Sequence, residues 1–123
     1  MKKKVDSKKD ERPWGNYEVL FVGQDQGFQV KRILVKPGAK FSLQTHSRRR
    51  EIWTIVAGEG VVTCDEKKIP IAKGSVVDIP QGAKHRMENT GRESLIFIEV
   101  QLGDYLGEDD IVRLEDDYGR VGY

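Results

Sequence analysis

Short runs of β-branched and aromatic residues, separated by turns that contain glycine, make up most of the chain from Pro13 onward. The runs are YEVLFV, FQVKRILV, FSLQTH, EIWTIV, GVVTC, KKIPIA, SVVDIP, HRMEN and LIFIEV. Their spacing of roughly eight to twelve residues is typical of an all-β sandwich or barrel. No stretch keeps a helical apolar period for three turns, so the pattern predicts about nine strands and little helix.

The two ends of the chain differ from the rest in composition, because both are rich in charged residues. Residues 1–12, MKKKVDSKKDER, are nearly all charged and include one aliphatic residue, Val5, which predicts a flexible, solvated tail before a single domain at 13–123. The C-terminal stretch GDYLGEDDIVRLEDDYGRVGY is acidic, with room for one helical turn. We expect it to cover a sheet edge and to pack on the barrel through Tyr105, Leu106, Ile111, Val112 and Leu114.

Composition narrows the class of protein. A chain of 123 residues is long enough for one domain with its own core. Its 21 basic residues nearly balance 20 acidic ones and are interspersed with them, which argues against a nucleic-acid partner. Cys64 has no partner for a disulfide, and no apolar run approaches the ~20 residues of a membrane span. We therefore expect a cytoplasmic protein without a membrane partner.

Four polar residues stand where a metal site would need them. Gln44 and His46 share one face of a strand, because strand side chains alternate. Glu51 follows a four-residue turn and begins a row that continues with the apolar Trp53, where an inward carboxylate calls for a cation. His85 follows a strand and a Pro-Gly turn that can return it to the same interior. Taken alone, polar residues near strand ends also fit a solvent-facing position, and both readings stay open at this point.

Two spaced motifs resemble those of the cupin superfamily. They are Gly-x5-Gln-x-His-x4-Glu-x6-Gly over residues 38–58 and Gly-x5-Pro-x-Gly-x2-His-x3-Asn over residues 74–89, with glutamine where a first histidine is usual. The resemblance implies a cupin barrel, an all-β, jelly-roll-like double-stranded β-helix with little helix. It also implies that Gln44, His46, Glu51 and His85 ligate one divalent metal ion.

Within the cupins, the chain looks like the C-terminal isomerase domain of type II phosphomannose isomerases, bifunctional enzymes that also carry a mannose-1-phosphate guanylyltransferase domain. The matching stretches are RPWGNYEVL, VKRILVKPG, SLQTH, IPQGAKHRMEN and IEVQLGDYLGEDDIVRLEDDYGR. We expect a free-standing isomerase-like domain. The family usually shows a QMHHHRAEHW-like run, whereas this chain has Ser47, Arg48 and Ile52 at three of those positions. These differences fall at the expected rim of the pocket.

The resemblance implies a metal-dependent isomerase that interconverts mannose 6-phosphate and fructose 6-phosphate. Two imidazoles, a carboxylate and an amide favour zinc, with manganese, cobalt, nickel or iron as alternatives. The sugar phosphate needs a cation, and the candidates are Lys31, Arg32, Arg86 and Arg120. Lys31 and Arg32 must face opposite sides of their strand. We select Lys31 and Arg120 as catalytic candidates, Arg120 because the terminal YGR matches the family, which implies a tail folded over the pocket. Arg48, Arg49 and Arg50 are expected to form a solvated turn, and a role in attracting a phosphate is the alternative.

Two other functions fit the same residues. His46, Glu51 and His85 form the two-histidine, one-carboxylate set of non-haem iron oxygenases, although Gln44 as a further ligand occupies a position that oxygen needs. A non-catalytic cupin that binds a sugar phosphate or a sugar nucleotide is the second alternative. Metal analysis and an assay with mannose 6-phosphate separate these alternatives.

A homodimer is the expected assembly. The segment RPWGNYEVLFV contains Trp14, Tyr17, Leu20 and Phe21, which is more large apolar surface than one small barrel readily buries. We therefore expect the N-terminal strand to contribute to a contact between two copies.

Overall fold

A computed structural model describes residues 9–115, which form eleven strands and one short 3-10 turn. The strands are β1 Lys9–Arg12, β2 Gly15–Gly23, β3 Phe28–Val35, β4 Leu43–Thr45, β5 Arg49–Ala57, β6 Glu59–Cys64, β7 Lys67–Ala72, β8 Val76–Ile79, β9 His85–Asn89, β10 Leu95–Gly103 and β11 Val112–Glu115. The 3-10 turn spans Gln24–Gln26, between β2 and β3. Over this range, no helix has the length and apolar character needed to cross a membrane.

The strands form two antiparallel sheets that pack face to face. Sheet A has the order β1-β2-β3-β10-β5-β8, and sheet B has the order β11-β4-β9-β6-β7. The chain crosses between the sheets several times, so residues distant in sequence become neighbours across the barrel. The predicted all-β cupin architecture is confirmed.

The nine predicted strands correspond to β2 through β10, and the structure adds one strand at each end of the described chain. Lys9–Arg12 was predicted to lie in the solvated tail, but it forms β1 and pairs antiparallel with β2. That prediction was wrong for these four residues because backbone pairing with a neighbouring edge does not require apolar side chains. Residues 1–8 lie outside the described range. At the other end, β11 pairs with β4 and covers that edge of sheet B.

Side-chain alternation places the core between the sheets. On β5, Trp53 and Ile55 point inward and are almost fully buried, as their parity with Glu51 predicted. Phe41 makes edge-on ring contacts with Trp14 at 5.5 Å and with Trp53 at 5.9 Å between ring centroids. These three aromatic residues line the same cavity as the polar residues of the site.

Two turns depend on glycine conformation. Gly58 joins β5 to β6 with φ of 86°, and an added Cβ would lie 2.9 Å from Leu95 Cα. Gly82 has φ of 84° in the turn before β9, and its N–H donates a 2.9 Å hydrogen bond to the carbonyl oxygen of His46. A side chain is disfavoured at both φ values. The Gly82 bond ties the approach to His85 directly to the backbone of His46.

Candidate metal centre

Three potential metal ligands from different strands converge between the sheets. His46 follows β4 and His85 begins β9 in sheet B, whereas Glu51 lies on β5 in sheet A. Each offers one ligand atom, and these three atoms all lie within 4.8 Å of one another. Ligands about 2.0–2.2 Å from a common ion are typically separated by about 3–4 Å, so small side-chain movements complete the site. All three residues are buried.

Hydrogen bonds to backbone carbonyl groups determine which ring nitrogen of each histidine is free to bind a metal ion. Nδ1 of His46 lies 2.6 Å from the carbonyl oxygen of Asp110, and Nδ1 of His85 lies 3.0 Å from that of Ala83. A carbonyl only accepts, so each Nδ1 carries the hydrogen and each Nε2 keeps its lone pair. Burial lowers the pKa of His46 to about 4 and also lowers the pKa of His85, which keeps both rings neutral at physiological pH.

The Nε2 atom of His85 supplies a direct test of whether these residues fit a metal ion. It is buried, and it has no hydrogen-bond partner among residues 9–115. A buried lone pair without a partner is unfavourable, and a cation bound there would satisfy it. Backbone hydrogen bonds at the opposite ring nitrogens are the usual means of orienting metal-binding histidines. The donor set and its surroundings therefore fit a divalent ion.

Glu51 is held as a carboxylate by its neighbours. Trp53 Nε1 donates to Glu51 Oε1 at 2.9 Å, and Arg49 Nε donates to Glu51 Oε2 at 2.8 Å. Burial on its own would raise the pKa of Glu51, but the Arg49 guanidinium, followed by His46 and His85, outweighs burial and holds it well below the usual range. A charged oxygen ligand is therefore present at neutral pH.

Gln44 lies beside the three ligands, as its parity with His46 predicted. It pairs with His85 across β4 and β9, and its Nε2 is 3.3 Å from His46 Nε2. Its Oε1 accepts a 2.6 Å hydrogen bond from the Ser42 hydroxyl. A half rotation of the amide exchanges its oxygen and nitrogen and would aim the oxygen toward the ligands. Its role as a fourth ligand stays a prediction.

Arg49 is the main site residue that sequence reasoning missed. The structure places it in β5, two residues before Glu51 on the same inward face, and its side chain is only 5% exposed. Its Nη2 lies 3.2 Å from His46 Nε2, while its Nη1 is buried and has no hydrogen-bond partner in the described part of the chain. The predicted solvated turn was therefore wrong for Arg49, because β5 begins earlier than expected. The alternation that placed Glu51 inward would also have placed Arg49 inward.

A cavity of about 100 Å³ opens beside the ligands, and Lys31 lies in its wall. The Lys31 side chain is 3% exposed, as expected for an inward position on β3, and its Nζ lies 4.3 Å from the centre of the Tyr17 ring. Its ion-pair partner is Glu108, whose side chain is half exposed. The cavity therefore contains a buried cation whose anionic partner comes from a surface segment.

Glu108 belongs to a segment between β10 and β11, residues 104–111, which we call the strap. The Asp110 side chain accepts hydrogen bonds of 2.9 Å from the Ser47 and Arg48 N–H groups. Asp104 pairs with Arg48 on the surface, at 3.2 Å from Nη2. These contacts attach both ends of the strap to the turn that carries His46. Glu108 and Ile111 of the strap line the cavity, so the strap closes one side of it.

A second acidic side chain is buried near Arg49. Glu99 is on β10, and its Oε2 accepts a 2.6 Å hydrogen bond from Gln101 Nε2. Gln101 Oε1 in turn accepts from Gln29 Nε2 at 3.1 Å. Burial, followed by the nearby charge of Glu51, raises the pKa of Glu99. The run LIFIEV predicted a buried strand, but the inward position of Glu99 was not recognised as part of the site.

The other predicted phosphate-binding residues lie elsewhere. Arg32 is on the outer face of β3, 3.9 Å from Glu18, as the alternation with Lys31 required. Arg86 donates to the carbonyl oxygens of Phe41 and Glu115 at 3.1 Å. Arg120 lies outside the described residues, so its role stays a prediction. Among the four candidates, Lys31 is the one that the described structure brings into the cavity.

The chain is similar in sequence to several known proteins. XanB of Xanthomonas campestris pv. campestris, a xanthan biosynthesis protein, is 52% identical over 110 residues, which is 89% of this chain. AlgA of Pseudomonas aeruginosa, an alginate biosynthesis protein, is 51% identical over 110 residues, and a mannose-1-phosphate guanylyltransferase of Klebsiella pneumoniae is 50% identical over 109. The chain spans 22–23% of the length of these relatives.

Solved structures agree with the fold. A predicted oxalate decarboxylase from Thermotoga maritima matches 79% of this chain and 91% of its own, with a TM-score of 0.69 and 28% identity. The capsular polysaccharide assembling protein CapF of Staphylococcus aureus matches 90% of this chain and 33% of its own, with a TM-score of 0.76 and 25% identity. The family model for the C-terminal part of mannose-6-phosphate isomerase matches residues 2–116. The chain therefore belongs to the mannose-6-phosphate isomerase C-terminal family and has a cupin fold.

Proposed function

We propose that the protein is a metal-dependent aldose–ketose isomerase that interconverts mannose 6-phosphate and fructose 6-phosphate. The observation that carries the proposal is the meeting of two elements in one cavity. Of the three ligand residues, His46 and Glu51 line the cavity and His85 lies beside them, while the buried Lys31 ammonium lies in the cavity wall. A phosphorylated sugar needs both a group that binds its reacting oxygens and a cation for its phosphate.

His46, Glu51 and His85 would hold the metal, with Gln44 as the adjacent fourth candidate. Nitrogen and oxygen donors of this kind suit zinc first, with manganese, cobalt, nickel and iron as alternatives. When bound, a divalent ion supplies Lewis-acid stabilisation for the oxyanion that develops as a proton moves between C1 and C2.

Lys31 is the residue proposed to hold the substrate phosphate. Its Nζ faces the cavity and is positioned by the Tyr17 ring and by Glu108. The cavity of about 100 Å³ is much smaller than the ~300–1,000 Å³ of typical ligand sites. A hexose phosphate therefore requires the half-exposed Glu108 to leave Lys31, and the phosphate then takes over the ion pair. The proposed binding step replaces one anion by another on the same ammonium group.

Arg49 is proposed to orient the sugar. Its Nε and Nη2 are directed at Glu51 and His46, which leaves Nη1 as an unused donor within the described structure. A hydroxyl or carbonyl oxygen of the substrate would satisfy that donor. The Glu51 carboxylate, paired with Arg49 at 2.8 Å, keeps the guanidinium in place.

The test begins with the purified protein stripped of metal and reloaded separately with zinc, manganese, cobalt, nickel or ferrous iron. Isomerisation of mannose 6-phosphate should return with at least one ion, and deuterium from heavy water should enter C1 or C2 if an enediol forms. His85→Ala should lose bound metal and turnover together. Absence of isomerisation with every ion and every hexose phosphate would overturn the enzyme proposal.

A non-catalytic binding module is the second candidate, and the position of Arg49 favours a form of it that binds its ligand without metal. Its guanidinium already contacts Glu51 and His46, so a cation lies against two ligand residues. A protein of this kind would bind a sugar phosphate or a sugar nucleotide with metal removed and would show no turnover. Oxygen consumption by the ferrous form with a bound organic substrate would instead support the iron oxygenase.

A further inference from the structure

A second cation from β1 lines the cavity that contains Lys31. Every other residue of β1 is partly buried, and these residues are Asp10 and Arg12. Asp10 is opposite Tyr17 in the register of β1 with β2, so the two side chains lie on the same face of sheet A. Arg12 and Tyr17 both line the cavity. The strand that the sequence pattern assigned to a solvated tail therefore supplies part of the cavity wall.

Both cations contact one aromatic ring. Lys31 Nζ lies 4.3 Å from the centre of the Tyr17 ring, and Arg12 Cζ lies 5.1 Å from the same centre. Arg12 Nη2 also donates a 3.2 Å hydrogen bond to the Tyr17 hydroxyl. Trp14 and Tyr17 were expected in a contact between two copies, but both are buried in the protein's own core. In that position, the Tyr17 ring holds two positive groups close together at the cavity.

Each of these two cations is paired with an acidic side chain that is about half exposed. Arg12 Nη1 donates to Asp10 Oδ1 at 2.8 Å, and the Tyr17 hydroxyl donates to Asp10 Oδ2 at 2.9 Å. The Asp10 side chain is 47% exposed, and Glu108, the partner of Lys31, is 50% exposed. Ion pairs near the surface contribute little to stability. Asp10 can therefore leave Arg12 for water at a small cost, which makes the guanidinium available to a ligand.

We propose that Arg12 is a second cation of the phosphate subsite and that, together with Lys31, it selects a ligand with a terminal phosphate monoester. This subsite rests on the proposed function, because that function places the substrate phosphate on Lys31. The Arg12 guanidinium offers paired N–H donors that match two phosphate oxygens, whereas the Lys31 ammonium acts as a point charge. Ligand binding then replaces Asp10 on Arg12 as well as Glu108 on Lys31.

The charge on the ligand is the property that two neighbouring cations distinguish. A phosphate monoester carries a charge of about −1.5 to −2 at pH 7. A sulfate ester carries a single negative charge, and so does each phosphate in the diphosphate bridge of a sugar nucleotide. The attraction between an ion and a fixed cation is proportional to the charge of the ion. Arg12 and Lys31 together therefore favour a sugar phosphate over the sulfate ester of the same sugar and over a sugar nucleotide.

The test uses the zinc-loaded full chain and mannitol 1-phosphate, which has no carbonyl group and so cannot be isomerised. Calorimetry gives its Kd and that of mannitol 1-sulfate at pH 8, above the second phosphate pKa of about 6. Arg12→Gln should weaken binding of the phosphate ester by about 5–30-fold and that of the sulfate ester by a smaller factor. Arg12→Lys should recover part of the loss. Asp10→Asn should tighten binding of the phosphate ester, because it removes a competing carboxylate.

Arg92→Gln is the matched control, because Arg92 is exposed between β9 and β10 and its loss changes the net charge equally. It should change neither Kd. A purely structural role for Arg12 would weaken binding of both esters by the same factor, and that result would overturn the proposal. So would an unchanged Kd for the phosphate ester in Arg12→Gln, or a wild type that binds neither ester. Isomerisation of mannose 6-phosphate is measured in parallel. Its absence, with the expected ester affinities, would refute the isomerase and support the subsite, whereas turnover with unchanged ester binding in Arg12→Gln would refute the subsite alone.

Discussion

Replacing Glu108 with Gln removes the charge that pairs with Lys31 but keeps the size of the side chain. Lys31 is 3% exposed and Glu108 is 50% exposed, so the pair is intermediate between a surface ion pair and a buried one. Exposed pairs contribute about 0.2–1 kcal/mol, whereas breaking a buried pair costs about 3–5 kcal/mol. We therefore expect Glu108→Gln to lower the free energy of unfolding by about 1–2 kcal/mol.

The same change should strengthen binding of a phosphorylated sugar. In the wild type, the substrate phosphate must displace Glu108 from Lys31, and in Glu108→Gln it meets a buried ammonium with no competing carboxylate from the strap. The 1–2 kcal/mol lost from the free protein then returns as tighter binding, equivalent to about a 5–30-fold lower KM. Stability and affinity should thus move in opposite directions.

The assay combines urea unfolding of the free protein with the KM for mannose 6-phosphate, or with its Kd if the protein has no turnover. Glu115→Gln is the matched control, because Glu115 pairs with Arg86 at 3.6 Å and its side chain is 68% exposed. It should change neither quantity appreciably. Lys31→Met should raise KM by about 10–100-fold, the effect of losing one charge-assisted hydrogen bond of about 1.5–3 kcal/mol.

A higher KM in Glu108→Gln would refute the displacement reasoning, since it would mean that the carboxylate itself helps to bind substrate. An unchanged KM together with lower stability would show that the phosphate binds away from Lys31.

Two further predictions concern the metal centre itself. The pKa of His46 is about 4 in the fold and near 6.5 when unfolded, so the unfolded chain binds the extra proton first and stability falls as pH drops from about 6.5 toward 4. Metal-free wild type should lose about 2 kcal/mol more than His46→Gln between pH 8 and pH 5 in urea unfolding, and equal losses would contradict this. Arg49→Met leaves Glu51 buried without its cation, so the metal-free protein should lose about 3–5 kcal/mol. Added zinc should then raise its melting temperature by more than it raises that of the wild type, whereas equal shifts would show that Arg49 and metal do not share Glu51.

Local alternation was sufficient to predict much of the site. Gln44 and His46 are two residues apart, and Glu51 shares its parity with Trp53, so the direction of each side chain follows from strand geometry alone. The nine central strands could be predicted equally well, because their apolar runs and glycine turns are properties of short segments. Spacing then related His85 to the other three through two motifs that resemble those of a known superfamily.

Side-chain directions that depend on where a strand begins were harder to predict from the sequence. Arg49 faces inward because β5 starts at Arg49 itself, whereas the basic run alone favours an exposed turn. Lys9–Arg12 forms a strand although all four of its side chains are charged, since the edge of β2 supplies the backbone partners. In both cases, hydrogen bonding between backbones decided the outcome, and this interaction leaves little trace in side-chain chemistry.

Contacts across long stretches of chain were decided by the tertiary structure. Lys31 and Glu108 are 77 positions apart, and they meet because the strap packs against the cavity between the two sheets. The sequence shows that β3, β5 and β10 are rich in aliphatic residues, but it does not show that those residues share one outer face. That follows from the order β3-β10-β5 and its register, which aligns Val30, Val100 and Ile52 across three strands. Residue type and alternation determine which way a side chain points, whereas strand order determines what it meets.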